Sequence, residues 1–243
     1  MTIATVPKIV TLPTQDQLPC DDGVPMETQR HKMQMNLLIE TLYPWLETRD
    51  NGYIGGNMFI YYSTEQLRNQ DFKGPDFFTV LDVPKTERKS WVVWEEGKAP
   101  DVVIELLSES TAQQDKIHKK LVYQNQMRVP EYFWYDPFNP KEWQGFCLIG
   151  GSYKALNVDR NNRYISEKLN LALVCWQGNY EGVETVWLRW ETLEGNLLPT
   201  RAELVQQAQA QTEAAQAQVE AAQAQAIRLA AKLREIGINP EDF

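Results

Sequence analysis

The stretch Pro100-Asp101-Val102-Val103-Ile104-Glu105-Leu106-Leu107-Ser108 reads as a short β-strand, because it is apolar, β-branched and opened by proline. Strand side chains alternate faces, so Asp101, Val103 and Glu105 share one side and Val102, Ile104 and Leu106 the other. Glu105 stands inside the run, where a carboxylate is costly to bury unless it is paired or binds a metal. A second Pro-Asp opens an apolar run upstream, Pro75-Asp76-Phe77-Phe78-Thr79-Val80-Leu81, and a lysine cluster, Lys116, Lys119 and Lys120, follows downstream. Two strand-borne carboxylates with a nearby lysine are the minimum set for a Mg²⁺-dependent phosphodiesterase site. A hard divalent cation takes oxygen ligands and lowers the pKa of an attacking water.

Working outward, the pattern after this strand predicts a helix from about Gln113 to Met127, with Ile117, Leu121 and Val122 on its apolar face and Tyr123 beside them. Asp115 is placed to cap it, and His118 is expected to face solvent. Tyr132-Phe133-Trp134-Tyr135 then reads as a core strand buried on both faces. The strand-helix-strand unit over 101–135 predicts a parallel pair, since such crossovers join parallel strands. Upstream, Met33, Leu37, Leu38, Leu42 and Trp45 predict a helix over Glu27–Leu46 that Pro44 ends or kinks. Tyr53–Tyr62 reads as one strand with Gly55-Gly56 as a bulge or close-approach point. Phe77–Leu81 and Ser90–Trp94 read as further strands. Downstream, Phe146–Ile149 and Tyr153–Val158 form an antiparallel pair around Gly150-Gly151, and Leu169–Trp176 and Val183–Trp190 are expected to continue the sheet. The sum is an α/β fold with a mixed sheet.

Composition narrows the function classes. With 43% hydrophobic residues, 8 Trp and 10 Tyr in 243 residues, the chain can bury a sizeable core and general disorder is excluded. Cys20, Cys147 and Cys175 are far apart and form no CxxC pair, so neither a zinc site nor a disulfide framework is expected, and a reducing cytoplasm is the simplest setting. No leader of a basic then apolar kind opens the chain, and no apolar run approaches the roughly 20 residues that span a bilayer. The net charge of −9 weighs against a general nucleic-acid binder but leaves room for a local basic groove.

Two end segments differ from the centre. Residues 1–25 form an irregular lead-in punctuated by Pro7, Pro13, Pro19 and Pro25. From about Thr200 the chain turns to Ala, Gln and Glu and repeats every seven residues. With Val205, Thr212, Val219, Ala226 and Leu233 at a, Ala208, Ala215, Ala222, Leu229 and Ile236 fall at d. A seam of period 3.5 predicts a left-handed coiled coil. Its alanine content makes association through it weak. Gly237 and Pro240 are the stop signals.

The ordered strings Gly74-Pro-Asp76, Trp91-Val-Val-Trp-Glu-Glu96, Pro100-Asp-Val-Val-Ile-Glu105-Leu-Leu-Ser-Glu-Ser-Thr111, Asp115 with Lys119 and Tyr123, and Val129-Pro-Glu-Tyr-Phe-Trp-Tyr-Asp-Pro137 resemble a bacterial family of putative restriction endonucleases within the PD-(D/E)XK nuclease superfamily. Asp22–Thr28 with His31, and Gly55-Gly-Asn-Met58, resemble one of its subgroups. The resemblance spans roughly residues 20–195. It implies a restriction-endonuclease-like core with a mixed central β-sheet flanked by helices over 26–196, followed by a coiled-coil helix over 197–243.

The resemblance also implies Asp76 and Glu105 as metal ligands for Mg²⁺, with Mn²⁺ as a substitute, and DNA as substrate. The superfamily lysine two positions after the glutamate is absent, since Leu107 stands there. The family is similar to members whose lysine has moved to the next helix, where Lys119 matches. Secondary candidates are Asp101, on the same strand face as Glu105, Tyr123, His31, and Glu27 or Glu40 as an acidic residue from the first helix. A homodimer through the C-terminal helices is implied. The alternative reading is a catalytically inactive module of this fold that oligomerises or binds nucleic acid.

Overall fold

The computed structural model describes residues 12–20, 26–69, 74–235 and 237. Pro7, Pro25, Ile236 and Pro240, and Asp22–Pro25 of the quoted strings, lie outside them. The chain divides into two units, Met1–Leu198 and Pro199–Phe243.

The first unit is a mixed α/β structure built on a six-stranded sheet. Its strands, in chain order, are β1 (Tyr53–Gly55), β3 (Phe77–Val80), β5 (Val102–Leu106), β6 (Glu131–Tyr135), β7 (Trp143–Ile149) and β8 (Ser152–Ala155), and they lie side by side in that order. Within this sheet only β5 and β6 run parallel; the other neighbours are antiparallel. The crossover between β5 and β6 is helix α4, in contiguous segments Gln114–Lys119, Lys120–Val122 and Tyr123–Met127. All five residues of β5 are buried, so its unbroken apolar reading reflects cover on both faces.

Each face has its own cover. Val102, Ile104 and Leu106 pack with Leu38, Leu42 and Leu46 of helix α1 (Gln29–Glu47). The same cluster takes in Leu173, Leu188 and Trp190 from a second sheet of β9 (Arg163–Ser166), β10 (Leu171–Tyr180) and β11 (Val183–Glu191). Buried Gln34 ties α1 to that sheet, donating to the Leu188 carbonyl at 2.8 Å and accepting from its N–H at 2.9 Å. On the opposite face Val103, Tyr132 and Phe146 pack with Tyr123 and Met127 of α4. The alternation expected for the 100–108 strand is therefore realised.

Several expectations are corrected. The 169–176 and 183–190 segments do not continue the central sheet; they form the separate three-stranded sheet with β9, a strand the sequence pattern did not reveal. The 53–62 strand is broken into β1 and β2 (Ile60–Tyr61), the latter pairing in parallel with β4 (Trp91–Val92) in its own two-stranded sheet. Asn57 takes a left-handed φ of 47°, which a strand cannot continue through. The expected 90–94 strand ends at Val92 and gives way to a helical turn, α3 (Val93–Glu96). The remaining short helix among the described residues is α2 (Thr64–Asn69). Pro44 does not end α1, which runs on to Glu47.

The apolar face read from Ile117 and Leu121 is also reversed: these are 48% and 49% exposed. The buried line of α4 is Asp115, Tyr123 and Met127, with Lys119 between them. The cause is the winding. The first and last segments of α4 are π-helical; the Lys120 N–H reaches the Asp115 carbonyl, five residues back. A four-residue step overshoots an α turn of about 3.6 residues and undershoots the wider π turn, so alternating the two keeps 115, 119, 123 and 127 on one line.

The second unit is one long helix, α5 (Arg201–Glu235). A capping box starts it: the Glu203 N–H donates to Thr200 Oγ1 at 3.1 Å, and the Thr200 N–H donates to Glu203 Oε2 at 2.7 Å. Gly237 follows with φ +82°, a conformation that favours glycine. Among the described residues no helix is long and apolar enough to cross a membrane.

Gly56 marks a close approach, as the Gly55-Gly56 pair suggested. A β-carbon there would lie 2.8 Å from the Asp76 carbonyl oxygen and 2.6 Å from Ile39 Cδ1. Gly56→Ala should lower stability by about 1–3 kcal/mol, read as a reduced thermal midpoint by circular dichroism; an unchanged midpoint would contradict this approach.

Candidate active site

The register of the central sheet brings two carboxylates together. Phe77 of β3 pairs with Ile104 of β5 in an antiparallel ladder. One step further along both chains sets Asp76 opposite Glu105, and directly opposed residues share a sheet face with Cα atoms about 5 Å apart. Asp76 Oδ2 accepts the Leu106 N–H at 2.7 Å, which fixes the carboxylate at the strand end. Helix α4 covers this face.

Lys119 reaches from α4 to the pair. Its ammonium lies 3.0 Å from Glu105 Oε2 and 2.8 Å from Asp115 Oδ1. Tyr123, one turn later, donates its hydroxyl to Glu105 Oε1 at 2.6 Å. Glu105 is fully buried, whereas the Lys119 side chain keeps 16% of its surface and Asp76 is partly exposed. The cluster therefore opens to solvent on the Asp76–Lys119 side.

The electrostatics follow from burying three carboxylates with one ammonium. Burial, opposed by Lys119, raises Glu105 to about 8 and Asp76 to about 6. Burial also pushes the Tyr123 hydroxyl well above the usual tyrosine range, with Glu105 adding to it. For Lys119 burial works against the charge, but Glu105, Asp115 and Asp76 outweigh it and hold the ammonium above the ordinary lysine value.

The donor set fits a hard divalent cation. Glu105 Oε2 is buried and receives no aligned hydrogen bond among the described residues, with the Lys119 ammonium 3.0 Å away. No group of three or more His, Cys, Asp and Glu there forms a ready metal cage. Mg²⁺, however, is commonly held by one or two carboxylates with water and substrate phosphate completing the shell.

The remaining sequence candidates stand as follows. Asp101 is at the far end of β5, roughly 13 Å along the strand from Glu105; it accepts the Leu81 N–H at 2.7 Å and pairs with Lys98 at 2.8 Å. His31 is buried with both ring nitrogens engaged, Nδ1 with Thr28 Oγ1 at 2.8 Å and Nε2 with the Leu107 carbonyl at 3.0 Å. A carbonyl only accepts, so Nε2 carries a proton. This histidine ties α1 to the strand end. Glu27 is exposed and precedes α1, which starts at Gln29; its charge acts on Asp76. Glu40 bonds to Tyr180, on β10. Leu107, at the position where the superfamily pattern has lysine, is buried.

Asp115 is the residue that sequence reasoning placed elsewhere. It does not cap the helix: Ser108 Oγ accepts the Thr111 N–H at 3.2 Å, and the Ser108 carbonyl accepts the Ala112 N–H at 2.9 Å. Asp115 is instead 1% exposed and pairs with Lys119. Its i, i+4 spacing to Lys119 was the available signal.

Comparison with known proteins finds a matching family and similar solved structures. The family model Uma2, described as "Putative restriction endonuclease", matches residues 18–175. A crystal structure described as a putative nuclease belonging to DUF820, from Anabaena variabilis, is 13% identical, covering 65% of this chain and 91% of its own at a TM-score of 0.45. No curated protein matches.

The raised carboxyl values set a pH dependence. Between the unfolded carboxylate range near 4 and folded values of about 6 and 8, the folded state binds more protons than the unfolded. Stability therefore falls as pH rises through this window. Glu105→Gln removes the larger contribution. Its thermal midpoint relative to wild type should rise progressively from pH 5 to pH 8; a constant difference would mean that Glu105 does not titrate in this range.

Proposed function

The chain belongs to the Uma2 family of putative restriction endonucleases, and from that premise we propose that it is a Mg²⁺-dependent endonuclease hydrolysing DNA phosphodiester bonds. The observation that carries this reading is the convergence of Asp76, Glu105 and Lys119 on one sheet face, with a buried glutamate oxygen left without an aligned donor.

Asp76 and Glu105 would hold the ion. When bound, Mg²⁺ supplies Lewis-acid polarisation of a phosphoryl oxygen and a bound water of lowered pKa. The protein's own groups do the rest. Tyr123 donates to Glu105 Oε1 and so leaves Oε2 to face Lys119. Lys119, held by Asp115 on its own helix, presents a fixed positive charge where the phosphate gains negative charge, and it needs no reorganisation to do so. Burial favours the protonated form of Glu105, and a divalent cation would displace that proton.

The test is nicking of supercoiled DNA with Mg²⁺ or Mn²⁺. Glu105→Ala and Asp76→Asn should each lower the rate at least about 100-fold, the size expected when a main electrostatic group is lost. Equal activity of wild type and Glu105→Ala would sink the assignment and favour the non-catalytic module. Calorimetry with Mn²⁺ gives a readout independent of turnover: binding should tighten as pH rises from 6 to 8 and be lost in Asp76→Asn.

The proposal extends to a homodimer through α5. Along it the seam residues Val205, Val219 and Leu229 are 50–57% exposed, so the heptad seam buries little within one chain. Truncation before Pro199 should reduce the mass in solution by light scattering; an unchanged oligomeric state would place the association elsewhere.

A further inference from the structure

Beside the carboxylate cluster lies a second cationic feature that the catalytic reading leaves unused. Trp134 of β6 pairs in register with Glu105 across the parallel ladder, so its indole lies on the same sheet face. Tyr132, also on that face, stands opposite Phe146 of β7. Lys120 projects from α4 onto these rings, its ammonium 3.5 Å from the Phe146 centroid and 5.5 Å from that of Trp134. Lys116, one turn earlier, lies 5.8 Å from the Trp134 centroid.

These groups have cations and donors but little anion. Among the described residues no carboxylate pairs with Lys120, and burial lowers its pKa. A ring face offsets only part of the cost of desolvating an ammonium. The indole N–H of Trp134 is buried with no acceptor among the described residues. Lys116 does pair with Glu142 at 2.9 Å, but Glu142 is 42% exposed and Lys116 32%; such surface pairs are weak and readily exchanged. In a chain of net charge −9, this row of Lys116, Lys119 and Lys120 on one helix is a local exception, and local field decides where a polyanion docks.

Resting on the endonuclease reading, we propose that Lys116 and Lys120, seated on Trp134 and Phe146, form a subsite for a DNA backbone phosphate next to the one at Asp76 and Glu105. The spacing suits it. Strands lie about 4.8 Å apart, which sets the rings of β6 and β7 roughly 5–10 Å across the sheet from Glu105. Successive nucleotides of one strand rise about 3.4 Å along the duplex axis, so the subsite lies one to three nucleotides from the reacting position. The aromatic floor fixes the ammonium without neutralising it, which leaves its charge for the ligand.

The experiment is salt-dependent binding of a fluorescein-labelled DNA duplex of about 20 base pairs to the full chain in EDTA, followed by anisotropy. Removing one lysine–phosphate ion pair should reduce the slope of log K against log salt by about 0.9. The double variant Lys116→Gln/Lys120→Gln should show that reduction with unchanged circular dichroism and each single variant a part of it, and Lys120→Arg should keep the wild-type slope. Should Lys120→Gln fail to fold, Lys116→Gln, at a more exposed position, carries the same comparison. Wild-type slopes in folded glutamine variants would overturn the subsite and leave the endonuclease reading intact. Wild-type protein that binds no duplex at any salt concentration would overturn both.

Discussion

One ammonium sits between two buried carboxylates, and much of the first unit is arranged so that it can. Lys119 touches Glu105 on β5 and Asp115 on its own helix, while Asp76 adds a third negative charge nearby. Removing a single partner of such a cluster strands an uncompensated buried charge, which costs several kcal/mol. The register that opposes Asp76 to Glu105 and the π turns that aim Asp115, Lys119 and Tyr123 along one line both serve this contact. The cover of β5 on both faces leaves water to screen it only from the Asp76–Lys119 side.

The elements legible in the sequence were those whose local pattern and tertiary fate agree. Phe77–Val80, Val102–Leu106 and Glu131–Tyr135 are mostly apolar runs, and they become buried strands of the central sheet. The parallel β5–β6 pair followed from a crossover that has only one common geometry. Asp76 and Glu105 were singled out by the Pro-Asp strand opening and the carboxylate inside an apolar strand, and Lys119 by the family string; the structure brings the three side chains together.

Winding and distant partners account for the features that local pattern did not disclose. Ile117 and Leu121 follow an α period, yet α4 is partly π-helical, and the residues it buries are an aspartate, a tyrosine and a methionine. Nothing local shows that two hairpin strands, β10 and β11, leave the main sheet for one of their own. The interruption at Asn57 splits a segment whose β-propensity reads as unbroken. Glu40 and Asp101 share residue type with the site but not its location: one turns to Tyr180 and the other to Lys98. Carboxylate chemistry alone could not separate them from Glu105.

The π turns of α4 carry a consequence for how this protein can vary over time. Each such turn holds one residue more than an α turn, so deleting a single residue near 114–119 would restore regular winding without breaking the helix. The secondary structure would survive, but the part of the helix before the deletion would rotate by about 100° relative to the part after it. Asp115 would then leave the line that carries Lys119. The length of this helix is thus tied to the placement of Asp115 against Lys119. In α5, by contrast, whole heptads can be gained or lost while the apolar seam keeps its phase.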